Sequence, residues 1–197
     1  MNGFPEVTDL SLLSSLAELK NLEMNGFPEV TDLSPLSSLA ELKNLEMNGF
    51  PEVTDLSPIA SITGLKKLNL TNFTKVSDIG VLMLLSELTD LKLCNLPEAE
   101  GKTLASSIAS LKRLSRLDLE DTNITDFSFL SSLNSLLELR IRSDELPSYG
   151  RMKTGSLNLP GSVYPPDFVP LSRLPHLSSV TVNDGSWTIG NNRVIAR

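Results

Sequence analysis

The chain has 197 residues, of which 24 are acidic and 17 basic, giving a net charge of -7, and only 5% are aromatic. That balance lacks the clustered Lys and Arg that neutralise phosphates, which argues against a general nucleic-acid surface, and no stretch nears the roughly 20 apolar residues of a membrane-spanning helix. Cys94 is the only cysteine, so an intrachain disulfide and a Cys-rich metal site are excluded, and a reducing compartment fits best.

Residues 1–6, Met-Asn-Gly-Phe-Pro-Glu, have neither the basic start nor the apolar run of a secretory signal, so read literally the protein is cytoplasmic. Met1 also shares its repeat phase with Met24 and Met47, which reads equally as an internal methionine with further sequence, and a signal, ahead of it. Residues 1–23 and 24–46 differ only at Leu12 and Pro35, and residues 47–58 repeat the first twelve of the second copy.

The period of 23 carries the spacing LxxLxL, from Leu19, Leu22 and Met24 to Leu136, Leu139 and Ile141, and again at Leu177, Val180 and Val182. The last two members of each triplet stand two apart, which predicts one face of a short strand. A second apolar series follows each strand, as in Val30, Leu33, Leu36 and Leu39, with Pro35 between them. Spacing by three with a proline predicts a tight helical turn or an extended segment. Neither series buries its leucines alone, so neighbouring units must stack about 4.7–4.9 Å apart at their strands to close a common core.

Between Leu88 and Leu114 the period stretches to 26, and a convex helix is predicted over Ser106–Leu114. Gly101-Lys102-Thr103 ends like a phosphate-binding loop, but Leu96 stands where that motif needs its first glycine, so a convex turn is expected. The rhythm fails after Ile141. Residues 1–142 thus read as the repeat array and 143–167, rich in Pro and Gly, as an irregular insertion with a small strand at Leu157-Asn158-Leu159. Residues 168–197 read as a final repeat and a cap over the open end of the array; no comparable cap precedes the first repeat.

The LxxLxL spacing, followed by Val-Thr-Asp-Leu-Ser-Pro-Leu or by Ile124-Thr125-Asp126-Phe127-Ser128-Phe129-Leu130, resembles the leucine-rich-repeat superfamily. The likeness is to its short-repeat branch, which includes bacterial internalins, phosphatase-regulator-type solenoids and protozoan repeat proteins. It implies an α/β solenoid with a curved parallel β-sheet on the concave face and short helical or irregular convex segments. It also implies a protein-binding scaffold that needs no cofactor and performs no chemistry. Two alternatives are an internalin-like cell-surface adhesion protein and a targeting or regulatory subunit of a phosphatase or ubiquitin-ligase assembly. Where the family usually has Asn, this chain has Phe4, Phe27, Phe50, Phe73, Leu96 and Thr122, so stacked rings are expected to replace amide bonds along the spine.

Residues alternating with the ladder leucines point outward on the sheet. One column reads Glu23, Glu46, Asn69, Lys92, Asp118, Arg140 and Thr181, and the next reads Asn25, Asn48, Thr71, Cys94, Glu120, Arg142 and Asn183. The densest charge lies at Arg116, Asp118, Glu120, Asp121, Arg140 and Arg142. Solvated complementary pairs, a docking patch and a calcium site are its three readings, in that order, because neighbouring strand positions diverge and cannot easily converge on a cation. Identical repeats cannot mark a unique place, so recognition is expected in the divergent repeats or the insertion. The candidate partner-binding residues are Lys92, Arg116, Asp118, Glu120, Arg140 and Arg142, with Tyr149 and Tyr164 of the insertion as aromatic anchors. Tyr149, Tyr164 and Trp187 all read first as packing within the insertion and cap and second as protein-binding anchors. No catalytic, cofactor or metal residues are assigned, since His176 and Cys94 have no evident partners. Asn72-Phe73-Thr74 and Asn123-Ile124-Thr125 match the glycan acceptor pattern, but arise from the repeat rhythm.

Overall fold

The structure is a computed structural model that describes residues 6–142, 174–182, 185–190 and 193–196, with side chains described as far as Thr181. Its strands are β1 (Asn21–Asn25), β2 (Asn44–Asn48), β3 (Lys67–Thr71), β4 (Asp90–Leu96), β5 (Arg116–Thr122), β6 (Glu138–Arg142), β7 (Ser179–Val182), β8 (Gly185–Gly190) and β9 (Arg193–Ala196). They form one sheet in chain order, parallel from β1 to β7. β8 pairs antiparallel with β7 and β9 with β8, so the outer edge of β7 is not left open.

Register follows the leucines. Leu22, Leu45, Leu68, Leu91, Leu117 and Leu139 lie side by side across the sheet, and each is buried. Every strand from β1 to β5 reaches a residue in the left-handed region: Gly26, Gly49, Asn72, Asn95 and Asp121, with φ of 74, 79, 59, 55 and 49°. Gly has no Cβ to clash there and Asn and Asp are the next most tolerant residues, which is why this column admits those three types alone.

On the opposite side, five-residue 3₁₀ helices span Ser11–Ser15, Ser34–Ser38, Ser57–Ser61, Gly80–Leu84 and Ser128–Ser132. This is what spacing by three demands, because three residues per turn put Leu33, Leu36 and Leu39 on one buried line. An Asp stands two residues before each helix. Its carboxylate accepts the amide of the first helical residue: Asp9 from Ser11 at 2.7 Å, Asp32 from Ser34 at 2.8 Å, Asp55 from Ser57 at 2.7 Å, Asp78 from Gly80 at 2.8 Å and Asp126 from Ser128 at 2.8 Å.

The one α-helix among the described residues, α1, spans Gly101–Ala109 and not the expected Ser106–Leu114. Leu104 and Ile108, four apart, bury the helical face. Leu111 and Leu114 return to spacing by three, and their amides donate to carbonyls three residues back, Ile108 at 3.0 Å and Leu111 at 3.1 Å. The Gly101-Lys102-Thr103 segment, expected as a convex turn, is the first turn of α1. Glycine is required there by close approach, since a Cβ on Gly101 would lie 1.8 Å from the Asn123 carbonyl oxygen.

The spine is aromatic, as the sequence predicts. Phe27, Phe50 and Phe73 are buried and stacked, with successive ring centroids 5.4 Å apart. Phe4 lies outside the described residues. Where α1 widens the repeat the stack ends at Leu96, and the polar solution appears one position later: Asn123 donates its side-chain amide to the carbonyls of Pro97 and Ala99. Residues 143–173, which contain the expected insertion, lie outside the described residues.

Candidate concave interface

Strands of five or more residues from β1 to β6 put three outward columns on the sheet rather than the two expected. The first runs Asn21, Asn44, Lys67, Asp90, Arg116, Glu138, Ser179; the second runs Glu23, Glu46, Asn69, Lys92, Asp118, Arg140, Thr181; the third runs Asn25, Asn48, Thr71, Cys94, Glu120, Arg142. The first two floor a groove of about 390 Å³ that extends from β2 to β7.

Lys92, Arg116, Asp118 and Arg140, four of the predicted site residues, line this groove. Glu120 and Arg142 lie beside it in the third column and pair with each other at 3.1 Å. Tyr149 and Tyr164 lie outside the described residues. The backbone of Trp187 in β8 pairs with Val180 and Ala196. Sequence reasoning missed Lys67, Asp90 and Glu138, although each stands immediately before a ladder leucine, which is the signal that would have found them.

Most of the charges are spent on one another. Lys67 bonds Glu46 at 2.7 Å, Arg116 bonds Asp90 at 2.8 Å and approaches Glu138 at 3.6 Å, and Arg140 reaches Asp118 at 3.5 Å. Exposed pairs of this kind stabilise by only about 0–1 kcal/mol, so they order the side chains more than they hold the fold. Among the described residues, Lys92 is the only cation of the three columns without an ion pair. Its register neighbour Asp118 keeps one oxygen, Oδ1, buried without a hydrogen-bond partner among the described residues. Burial pushes the Asp118 carboxyl above its ordinary range, against the pull of Arg140 and Lys92. The middle of the groove therefore holds one unspent cation beside one unsatisfied acceptor.

At the end of the strands the Asn72 amide donates to Asn48 at 2.9 Å, and Asn95 donates to Asn72 at 2.8 Å. Both possible glycan acceptors, Asn72 and Asn123, thus use their amide nitrogens inside the fold. Cys94 is half-buried, and its thiol is pushed up to about 11, first by burial and then by the Glu120 carboxylate, so it stays protonated at neutral pH. His176 is exposed in the turn before β7. Among the described residues no group of three or more His, Cys, Asp and Glu side chains is placed to hold a metal ion, and no helix is long and apolar enough to cross a membrane.

No family model matches the sequence, and no curated protein matches it. Solved structures do. Internalin C2 of Listeria monocytogenes is 25% identical with a TM-score of 0.65, covering 89% of this chain and 66% of its own. Internalin inlF of the same organism is 18% identical with a TM-score of 0.34, covering 92% of this chain and 66% of its own. The chain thus spans a little under two thirds of the length of each. With the 23-residue rhythm, the parallel ladder and the 3₁₀ wall behind it, the likeness to internalin C2 makes this chain a leucine-rich-repeat protein.

Proposed function

We propose that the chain is a non-catalytic scaffold that binds a protein partner along the groove over β3 to β6. The observation that carries this reading is the groove itself: polar side chains that change from strand to strand, displayed in fixed register on a sheet backed by a continuous core. Binding of proteins is a typical use of this fold, and the likeness to internalin C2 supports it. The chemistry on the face also favours binding over catalysis. Acid–base and nucleophilic steps need converging groups, whereas the Cys94 thiol is held protonated and His176 stands apart from the groove lining.

Affinity capture followed by mass spectrometry tests the reading, provided capture is tied to the groove. A partner retained by the wild type and by a chain lacking residues 24–46, but lost with Arg116→Ala and Arg140→Ala together, is the expected pattern. Retention by the double variant would place binding elsewhere. The internalin likeness also favours a second reading, adhesion to a cell surface. Capture of the partner from intact cells, but not from a cytosolic extract, would select it.

A further inference from the structure

The groove charges alternate in a particular way. From β3 to β6 the first column reads plus, minus, plus, minus (Lys67, Asp90, Arg116, Glu138), and the second reads neutral, plus, minus, plus (Asn69, Lys92, Asp118, Arg140). A four-member alternation is its own complement when read backwards. A two-fold axis parallel to the strands, passing between β4 and β5, lays each column on the same column of a second copy in reverse order. Lys67 then faces Glu138 of the second copy, Asp90 faces Arg116, Asn69 faces Arg140, and Lys92 faces Asp118. No two like charges meet.

Other placements do worse. An axis on β4 sets Asp90 against itself, and one on β5 does the same to Arg116. Between β3 and β4, Glu46 meets Asp118. An axis between β5 and β6 avoids like charges but turns Lys92 towards Thr181. Only the axis between β4 and β5 gives the unspent Lys92 an anion and the unsatisfied Asp118 Oδ1 a donor.

Shape and net charge agree. Two hollow faces leave most room at their centres, and there the first column carries Lys67 and Arg116 and the second Lys92 and Arg140. Towards the rims stand short Asn21, Asn44, Ser179 and Thr181, with Glu23 and Glu46 beside them in the second column, where Glu46 comes to face Thr181. The groove lining contains four cations, Lys67, Lys92, Arg116 and Arg140, and four anions, Glu46, Asp90, Asp118 and Glu138. It is a neutral face on a chain of net charge -7, the place where two copies repel least.

We propose that two copies of this chain associate through their concave grooves about this axis, each masking the other's binding face. The inference rests on reading the groove as the binding surface and names a second copy as its occupant when no other protein is bound. Sedimentation equilibrium of the full chain over a concentration series tests it. The wild type should rise from the mass of one chain to that of two, while K92E and D118K should each stay at one. An equimolar mixture of the two variants should recover the double mass, because every Lys92–Asp118 contact in the mixed pair again joins opposite charges. Circular dichroism checks that each variant is folded; should D118K fail to fold, R116E mixed with D90K applies the same logic to the first column. A wild type that remains single at every concentration overturns the proposal, as do variants that pair as well as the wild type or a mixture that stays single. A single-chain wild type whose groove still captures a partner would sink the self-association and leave the proposed function standing.

Discussion

The duplicated repeats through residue 58 and the divergent repeats of β3 to β6 share one interior and differ almost wholly outside. Leu22 and Leu45 are buried in the same way as Leu68, Leu91, Leu117 and Leu139. Outside, β1 and β2 show the same five residues, Asn-Leu-Glu-Met-Asn, whereas no two strands from β3 to β6 show the same set. Inward positions must fill a space set by both neighbours, so they tolerate little change. Outward positions answer only to solvent and to whatever binds, so their divergence marks where selection for a partner has room to act. Both unspent groups, Lys92 and Asp118 Oδ1, fall on the divergent side.

The comparison breaks if the two interiors are not equivalent in energy. The largest effect is expected at Phe50, the middle ring of the stack. Phe50→Ala should cost about 3–5 kcal/mol in urea unfolding, while Phe50→Leu, which copies the natural Leu96, should cost clearly less. Leu117→Ala, in the divergent region, should cost about 2–5 kcal/mol; a much smaller loss would mean that the core there is looser than its burial implies. Gly101→Ala forces a methyl against the Asn123 carbonyl and should cost about 1–3 kcal/mol by overpacking, with a lower Tm as the readout.

The smallest effects separate the two faces by pH. On the convex side Asp32, Asp55 and Asp126 lie below their ordinary value of 3.8, because each accepts first the backbone amide and then the hydroxyl of the serine two residues on. A carboxyl lowered by folding adds stability above its ordinary value and loses it as pH falls through the lower, folded one. Asp118 in the groove has the opposite sign. Its raised folded value means that stability linked to it falls as pH rises through that value. Tm followed against pH should show a shallower acid loss in Asp126→Asn, and a shallower loss on the rising side in Asp118→Asn. The same slope change in both variants would show that the two faces do not differ.

How much of this was legible in the sequence follows from what apolar spacing reports. Spacing reports burial, so the ladder and the phenylalanine spine could be read directly, while the convex wall was narrowed to a tight helical turn or an extended segment and the structure makes it 3₁₀. Strand width could not, because it depends on where the backbone turns, and the turn is set by the column Gly26, Gly49, Asn72, Asn95 and Asp121 rather than by any leucine. The column of Lys67, Asp90 and Glu138 lies at the opposite end of the strands, immediately before each ladder leucine, where the alternation with the leucines was signal enough to find it. The position of α1 was misread because Leu111 and Leu114 prolong the apolar series, while the helical signal is the four-residue step from Leu104 to Ile108. Which charge meets which is decided by register across strands, so the charged patch was visible in the sequence but its internal pairing was not.

The match between β1 and β2 has a consequence for how such a molecule changes size. Asn21 pairs with Asn44 and Glu23 with Glu46, so the joint between these units joins like to like. Copying or losing one such unit by recombination leaves every remaining strand joint chemically unchanged. The array can therefore lengthen or shorten in whole steps of about 4.7–4.9 Å, a spacer of adjustable count, without any compensating substitution at the recognition strands downstream.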